Sequence, residues 1–215
     1  MIAAFCFCGT YLVTSFIRFR ALPLNAEAIT SPSQKIDVFS SENVKIEEEN
    51  SFCSDFCKLD TLQDFTKEAF LSIEDKDFYH HNGINKKRML KAGLNNLKSR
   101  SLKEGASTIS QQLIKNTHLS PEKTFERKLK EIALTQKLEK SFSKDEILES
   151  YLNIIFFGNN CYGIESAAKY YFSKPAKKLD LQESCTLAGL IKSPSKYSPI
   201  SHPENCKKRR DLVLS

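Results

Sequence analysis

Apolar residues recur along this chain at three- and four-residue intervals, and strict alternation is scarce. Phe65, Ala69, Phe70 and Ile73 predict a helix over Gln63–Ile73. Met89, Leu90, Leu94 and Leu97 predict a second, basic amphipathic helix. The stretch TISQQLIKN, Thr108–Asn116, predicts a short helix that starts at a glycine-serine-threonine turn, with Leu113 and Ile114 able to anchor it. Pro121 at a first turn opens a long helix through Leu138, with Phe125, Leu129, Ile132 and Leu138 on one side. Ser143 and Glu146 form a capping-box pattern ahead of ILESYLNIIFF, and Gly158 marks a stop. Ile164–Phe172 predicts another helix, Asp180 and Glu183 cap Leu181–Ile191, and Pro194 and Pro199 then break the chain. The predicted class is mainly α.

The N-terminus departs from this pattern. Ile2–Ile17 is uncharged and mostly apolar, short of the roughly 20 residues of a full span unless Phe19 and Ala21–Leu24 extend it. No basic stretch precedes it and no small-residue cleavage site follows, so a secretory leader fits poorly. Residues 1–24 are expected to form an N-terminal hydrophobic membrane anchor, residues 25–51 a polar linker, and residues 52–215 the folded domain.

Charge adds a location for partners. The net charge is +6, and Lys86–Lys103 holds seven basic residues and no acidic one. That run suits a solvated helix face or a surface for anionic headgroups, nucleic acid or phosphorylated substrate. It lacks an aromatic stacking platform, which argues against nucleic acid. Seven cysteines leave at least one unpaired in a monomer. Cys161 and Cys185 fall in apolar patterns and predict buried thiols. Cys53 and Cys57 could form a disulfide, whereas zinc would need further ligands that His80, His81, His118 and His202 do not supply at matching spacing.

Three polar clusters lie between the predicted helices. The first, IEDKDFYHHNG, sets Glu74, Asp75 and Asp77 after an apolar lead-in; such acids cap turns, bind metals or move protons. The second is GASTISQQLIKN, Gly105–Asn116. On a helix, Gln112, Lys115 and Asn116 share a face that suits sugar hydroxyls, amides or phosphate oxygens, or plain solvent. In the third, Arg127, Lys128 and Glu131 share a helix face. They form either a solvated ion pair or a pair of cations that hold a diphosphate, with the carboxylate assisting.

The segments IEDKDFYHHNG, GASTISQQLIKN, ERKLKEIALTQKLE, KDEILESYLN and RRDLVL, in this order, resemble the five motifs of family 51 glycosyltransferases. These are the peptidoglycan glycan-chain polymerases, found as monofunctional transglycosylases and as domains of class A penicillin-binding proteins. The resemblance covers about Leu62 to Ser215. It implies a lysozyme-like helical fold and an inverting polymerisation of lipid II, a disaccharide-pentapeptide on undecaprenyl diphosphate.

Carried onto this sequence, the resemblance makes Glu74 the general base and Asp75 a supporting acid, with Phe78 and His81 shaping the site. Glu131 would assist departure of the diphosphate, directly by positioning it or through bound cations. Lys115, Arg127 and Lys128 would contact phosphates, and Gly105, Ser107, Thr108, Gln112 and Asn116 would line the pocket. The family's second motif commonly has a glycine pair where this chain has Gly105 and Ala106, which bears on loop conformation.

No organic cofactor is implied, and a divalent cation (Mg or Mn) is left open. Implied partners are lipid II, the growing lipid-linked glycan, the membrane and other cell-wall synthesis proteins, but no nucleic acid. The implied location is the outer face of a bacterial cytoplasmic membrane, although Arg18 and Arg20 behind the apolar run lean towards the opposite orientation. The combined Ser-x-x-Lys, Ser-x-Asn and Lys-Thr-Gly set of a transpeptidase is not found in these residues, so a monofunctional enzyme and a piece of a bifunctional one are both compatible. Glycan cleavage by a lysozyme-like hydrolase or lytic transglycosylase is the alternative reading. A non-catalytic binder of cell-wall lipid is a third.

Overall fold

The computed structural model describes residues 14–16, 18–30, 56–90, 92 and 107–215. Its labelled helices in chain order are α1 (Asp64–Glu74), α2 (Ile109–His118), α3 (Phe125–Ser141), α4 (Lys144–Ile154), α5 (Ile164–Phe172), α6 (Leu181–Leu190), α7 (Pro194–Tyr197) and α8 (Pro203–Leu214). Among the described residues the only β pairing is an antiparallel bridge between Phe156 and Tyr162. The mainly α expectation therefore holds. Of the expected anchor, residues 14–16 and 18–24 are described, and of the expected linker residues 25–30; the rest of both, Gly105, Cys53 and most of the Lys86–Lys103 run lie outside the described residues, and of that run residues 86–90 and 92 are helical. Among the described residues no helix is long and apolar enough to cross a membrane.

The chain divides into two compact units. One comprises Met1–Ile29 with Asp77–Leu148; the other comprises Thr30–Lys76 with Glu149–Ser215.

In the first unit α2 packs against α3, burying Ile109, Leu113, Ile114, Leu134 and Leu138. The early part of the chain is fastened to these helices. Phe19 is buried beneath Lys130, whose ammonium stands 5.3 Å from the ring centroid. Lys137 donates to the Leu22 carbonyl, and the Asn25 N–H donates to His118 Nε2 at 3.0 Å. The long helix corrects the expected start at Pro121. Thr124 is its N-cap, with Oγ1 accepting from the Arg127 N–H at 3.1 Å, and Pro121 lies ahead of it in irregular chain. The expected apolar side is also displaced: Phe125 is 65% exposed, and the buried stripe is Glu131, Leu134, Thr135 and Leu138. This i, i+3, i+4, i+7 face starts with a carboxylate, which a count of apolar residues passes over.

Gly83 joins two elements of this unit. Its φ of +79° is a left-handed conformation, and a Cβ there would lie 2.6 Å from Thr135 Cγ2 and 2.8 Å from Glu139 Cγ. Its carbonyl accepts from Thr108 Oγ1 at 2.6 Å. Only glycine lets the chain pass this close to α3 and still reach the start of α2.

In the second unit α6 is the central helix, buried through Ser184–Leu190 and packed against both α1 and α8. Phe70, fully buried on α1, meets Phe157 edge to face with ring centroids 6.1 Å apart. Burying a side chain of this size contributes about 1.5–3 kcal/mol. Asp180 and Glu183 form the expected reciprocal capping box. The thiols of Cys161 and Cys185 are free and buried as expected, and those of Cys57 and Cys206 join them. Ser143 and Glu146 cap α4, which contributes its first residues to the first unit and the rest to the second. That helix stops at Ile154, four residues ahead of the expected Gly158, because the chain turns into the Phe156–Tyr162 bridge. Pro194 starts α7 and does not merely break the chain.

Candidate active site

In the first unit the third polar cluster sits where α3 enters the interior. Glu131 is 2% exposed. Arg127 Nη1 lies 3.5 Å from its Oε2, and Lys128 Nζ pairs with its Oε1. The reading of a solvated ion pair is corrected here, because the acid is buried and the Arg127 and Lys128 side chains are themselves only 17% and 36% exposed. Removing one carboxylate and two cations from water is costly unless they pair, and the pairing fixes both cations on one turn. Arg127 Nε is buried and has no hydrogen-bond partner. The guanidinium therefore keeps donor capacity after meeting Glu131.

The second cluster separates into inner and outer faces on α2. Thr108 is fully buried and forms a capping box with Gln111: Gln111 N–H donates to Thr108 Oγ1 at 3.2 Å, and Thr108 N–H donates to Gln111 Oε1 at 3.1 Å. Of the expected pocket-lining residues, Thr108 thus serves the helix start and the Gly83 contact. Gln111 Nε2 remains buried without a partner. Ser107, Lys115 and Asn116 are exposed and Gln112 is half-buried, so the Gln112–Lys115–Asn116 face does point outwards.

The first-motif residues of this unit are locked by packing. Phe78 is 1% exposed, edge to face with Tyr79 and His81, and capped by the Lys144 ammonium 4.4 Å from its centroid. Glu139 holds Lys144 at 2.8 Å and accepts from Ser110. Tyr79 donates to Asp145 at 2.8 Å; burial and this acceptor push its phenol up to about 12. Asp77 accepts from Asn85 Nδ2 at 3.1 Å, a turn-forming role. A cavity of about 840 Å³ opens beside this turn, lined by His80, His81, Asn85, Lys86, Gln136 and Lys140 among others. Among the described site residues expected from the sequence, only His81 lines it.

Glu74 and Asp75 belong to the second unit. Glu74 is the last residue of α1 and half-buried; Asp75 is its C-cap and 1% exposed, with its N–H donating to the Leu71 carbonyl at 2.9 Å. Next to them stands Tyr151, fully buried on α4. Burial, and then the charges of Glu74 and Asp75, push its phenol well above the ordinary tyrosine range. A neutral phenol beside the two acids was not singled out in the sequence, although KDEILESYLN contains it.

The residues brought together in the first unit are Arg127, Lys128 and Glu131 on one turn, and Phe78 with His81. In the second unit they are Glu74 and Asp75, with Tyr151. Among the described residues no group of three His, Cys, Asp or Glu side chains could hold a metal ion. Both Glu131 oxygens are already engaged by side-chain cations, so a metal there would have to displace one.

A family model described as transglycosylase matches residues 42–215. Penicillin-binding protein 1F of Bacillus subtilis is 47% identical over 148 residues, 69% of this chain and 21% of the relative. Penicillin-binding protein 1A of Neisseria meningitidis is 38% identical over 218 aligned positions, 100% of this chain and 27% of the relative. Penicillin-binding protein 1A of Aquifex aeolicus is 43% identical over 159 residues, 74% of this chain and 22% of the relative. The chain thus spans about a quarter or less of the length of these relatives.

Proposed function

The chain belongs to the transglycosylase family, and from that premise we propose that it is a peptidoglycan glycosyltransferase that polymerises lipid II into β-1,4-linked glycan. The observation that carries this reading is the buried Glu131 with Arg127 and Lys128 on one turn of α3. A purely structural ion pair gains nothing by taking its acid out of water. A buried acid that holds two partly exposed cations prepares them for an anion. A diphosphate leaving group is such an anion, and fixed cations stabilise the charge that develops as it departs.

In the proposed reaction Glu74 takes the proton from the 4-hydroxyl of the incoming lipid II. The hydroxyl oxygen attacks the anomeric carbon of the growing chain from the face opposite the diphosphate. The new C–O bond forms as the bond to the diphosphate oxygen breaks, and the electron pair leaves with undecaprenyl diphosphate. One displacement inverts the centre from α to β. Asp75 and Tyr151 surround the base, and Lys115, exposed on α2, supplies a further phosphate contact. The diphosphate is a good leaving group once neutralised, so no second carboxylic acid has to protonate it, in contrast to glycoside hydrolysis.

We place this chemistry at the outer face of a bacterial cytoplasmic membrane, where a lipid-linked sugar donor and acceptor meet. Protease accessibility beyond Asn50 in intact spheroplasts tests that side. The activity is tested by incubating the purified chain with lipid II in detergent, beside a zymogram on purified cell wall. Polymer without cell-wall clearing supports synthesis. Clearing without lipid II consumption would move the reading to a lytic enzyme.

A further inference from the structure

We propose that Phe156 and Tyr162 form a stacking platform for a sugar ring of the glycan chain, an inference that rests on the polymerase reading for the identity of that chain. The two rings are among the exposed large apolar side chains, Phe156 at 41% and Tyr162 at 53%. Their centroids lie 4.9 Å apart with planes tilted by 42°. They stand opposite each other across the antiparallel bridge. The flanking bonds run from Gly163 N–H to the Ile155 carbonyl and from Phe157 N–H to the Cys161 carbonyl, both 2.9 Å. Phe156 and Tyr162 are therefore the pair between the hydrogen-bonded rungs, where side chains approach most closely.

The turn that holds them is elaborately fixed. Gly158, Asn159, Asn160 and Gly163 all have positive φ, at 86°, 45°, 59° and 83°. Non-glycine residues adopt that region at a cost. At Gly163 a Cβ would lie 2.6 Å from the Asn153 carbonyl oxygen. Tyr171 clamps the turn: its hydroxyl donates to the Phe157 carbonyl at 2.9 Å and accepts from Asn159 Nδ2 at 3.0 Å. A left-handed, clamped turn that ends by exposing two aromatic rings spends stability to present them.

The surroundings select the ligand. Residues 155–164 (IFFGNNCYGI) carry no charge, in a chain with 27% charged residues. An anionic headgroup or diphosphate would find no cation within this stretch. A hexopyranose offers an apolar C–H face to aromatic rings and hydroxyls to neighbouring amides, and Asn159 and Asn160 are exposed beside the rings. A membrane-interface aromatic pair would be expected with lysine or arginine close in sequence, and this stretch has none. The platform follows the end of α4 at Ile154, where the Ile155 N–H still donates to the Tyr151 carbonyl at 3.1 Å. It therefore belongs to the same compact unit as Glu74 and Asp75.

The test measures binding of an N-acetylglucosamine hexasaccharide and of soluble uncrosslinked glycan strands to the full chain by calorimetry. The variants are Phe156→Ala/Tyr162→Ala and Tyr162→Phe, with thermal unfolding to show that both stay folded. The double variant is expected to bind glycan about tenfold or more weakly, and Tyr162→Phe to stay within about twofold of wild type. Polymer made by the folded double variant should also be shorter. Unchanged glycan affinity in the double variant would overturn the platform. So would a loss confined to binding of phosphatidylglycerol vesicles. Platform-dependent glycan binding by a wild-type chain that makes no polymer from lipid II would uphold the platform and overturn the polymerase reading.

Discussion

Arg127 Nη1 lies 3.5 Å from Glu131 Oε2 across one turn of α3, with the acid buried and the Arg127 side chain 17% exposed. Glu131→Gln keeps the shape and removes the charge that holds Arg127 and Lys128. Unfolding free energy should fall by about 1–3 kcal/mol, the range for disrupting a hydrogen-bonded charged group. Lipid II polymerisation should fall by about 100-fold or more, the scale for losing an electrostatic element of an active site. Urea denaturation and a gel assay of polymer check the two parts.

Lys115 gives the opposite balance. It is exposed on the outer face of α2, so Lys115→Ala should change stability by less than about 0.5 kcal/mol. Polymerisation should still drop by about 100-fold if the ammonium meets a phosphate. Equal activity in variant and wild type would remove Lys115 from the site.

The Gly83–Thr108 contact is structural. Gly83→Ala forces a methyl against Thr135 and Glu139 at a left-handed φ, and should cost about 1–3 kcal/mol. Thr108→Val removes the cap and the bond to the Gly83 carbonyl and should cost about 1–2 kcal/mol. Chemical denaturation of both variants measures this, and their losses should not add, because they break one junction.

His118 predicts a pH dependence. Its Nε2 accepts from the Asn25 N–H at 3.0 Å, which leaves the proton on Nδ1, facing Thr117 Oγ1. Burial holds its pKa below the ordinary histidine value of 6.5. The unfolded chain thus binds the extra proton more readily, and stability must rise with pH through this window. The contribution is present above about pH 6.5. It is lost as pH falls towards the depressed folded value. The urea midpoint of wild type should decline across this range more than that of His118→Gln. Proteolysis within residues 18–29 should speed up in parallel, because Asn25 is then released. Parallel pH curves for the two proteins would contradict the assignment.

The legible parts of the fold were those written in short range. Ser143 with Glu146 and Asp180 with Glu183 are capping boxes three residues apart, and both formed as read. Ile164–Phe172 matched to the residue because its apolar face is continuous. The start of α3 differs from the expected one: Pro121 is a valid first-turn residue on its own, but Thr124 wins as the cap by accepting from the Arg127 N–H. Gly158 predicts a helix stop, but the bridge at Phe156 ends the helix earlier. In the site, the grouping of Arg127, Lys128 and Glu131 was readable from spacing, and the burial of Glu131 was not. Apolar patterning assigns carboxylates to solvent. His118 and Asn25 are 93 residues apart, and the charges that reach Tyr151 come from α1 and its C-cap. Such relationships exist only after packing.

The central claim is that Glu74 removes the proton from the acceptor hydroxyl. The direct measurement is the lipid II polymerisation rate of Glu74→Gln beside wild type, with matched unfolding curves. A general base contributes roughly 100- to 10,000-fold, so the account predicts a loss of at least about 100-fold in a variant that stays folded. A folded Glu74→Gln protein that polymerises lipid II at the wild-type rate would contradict it.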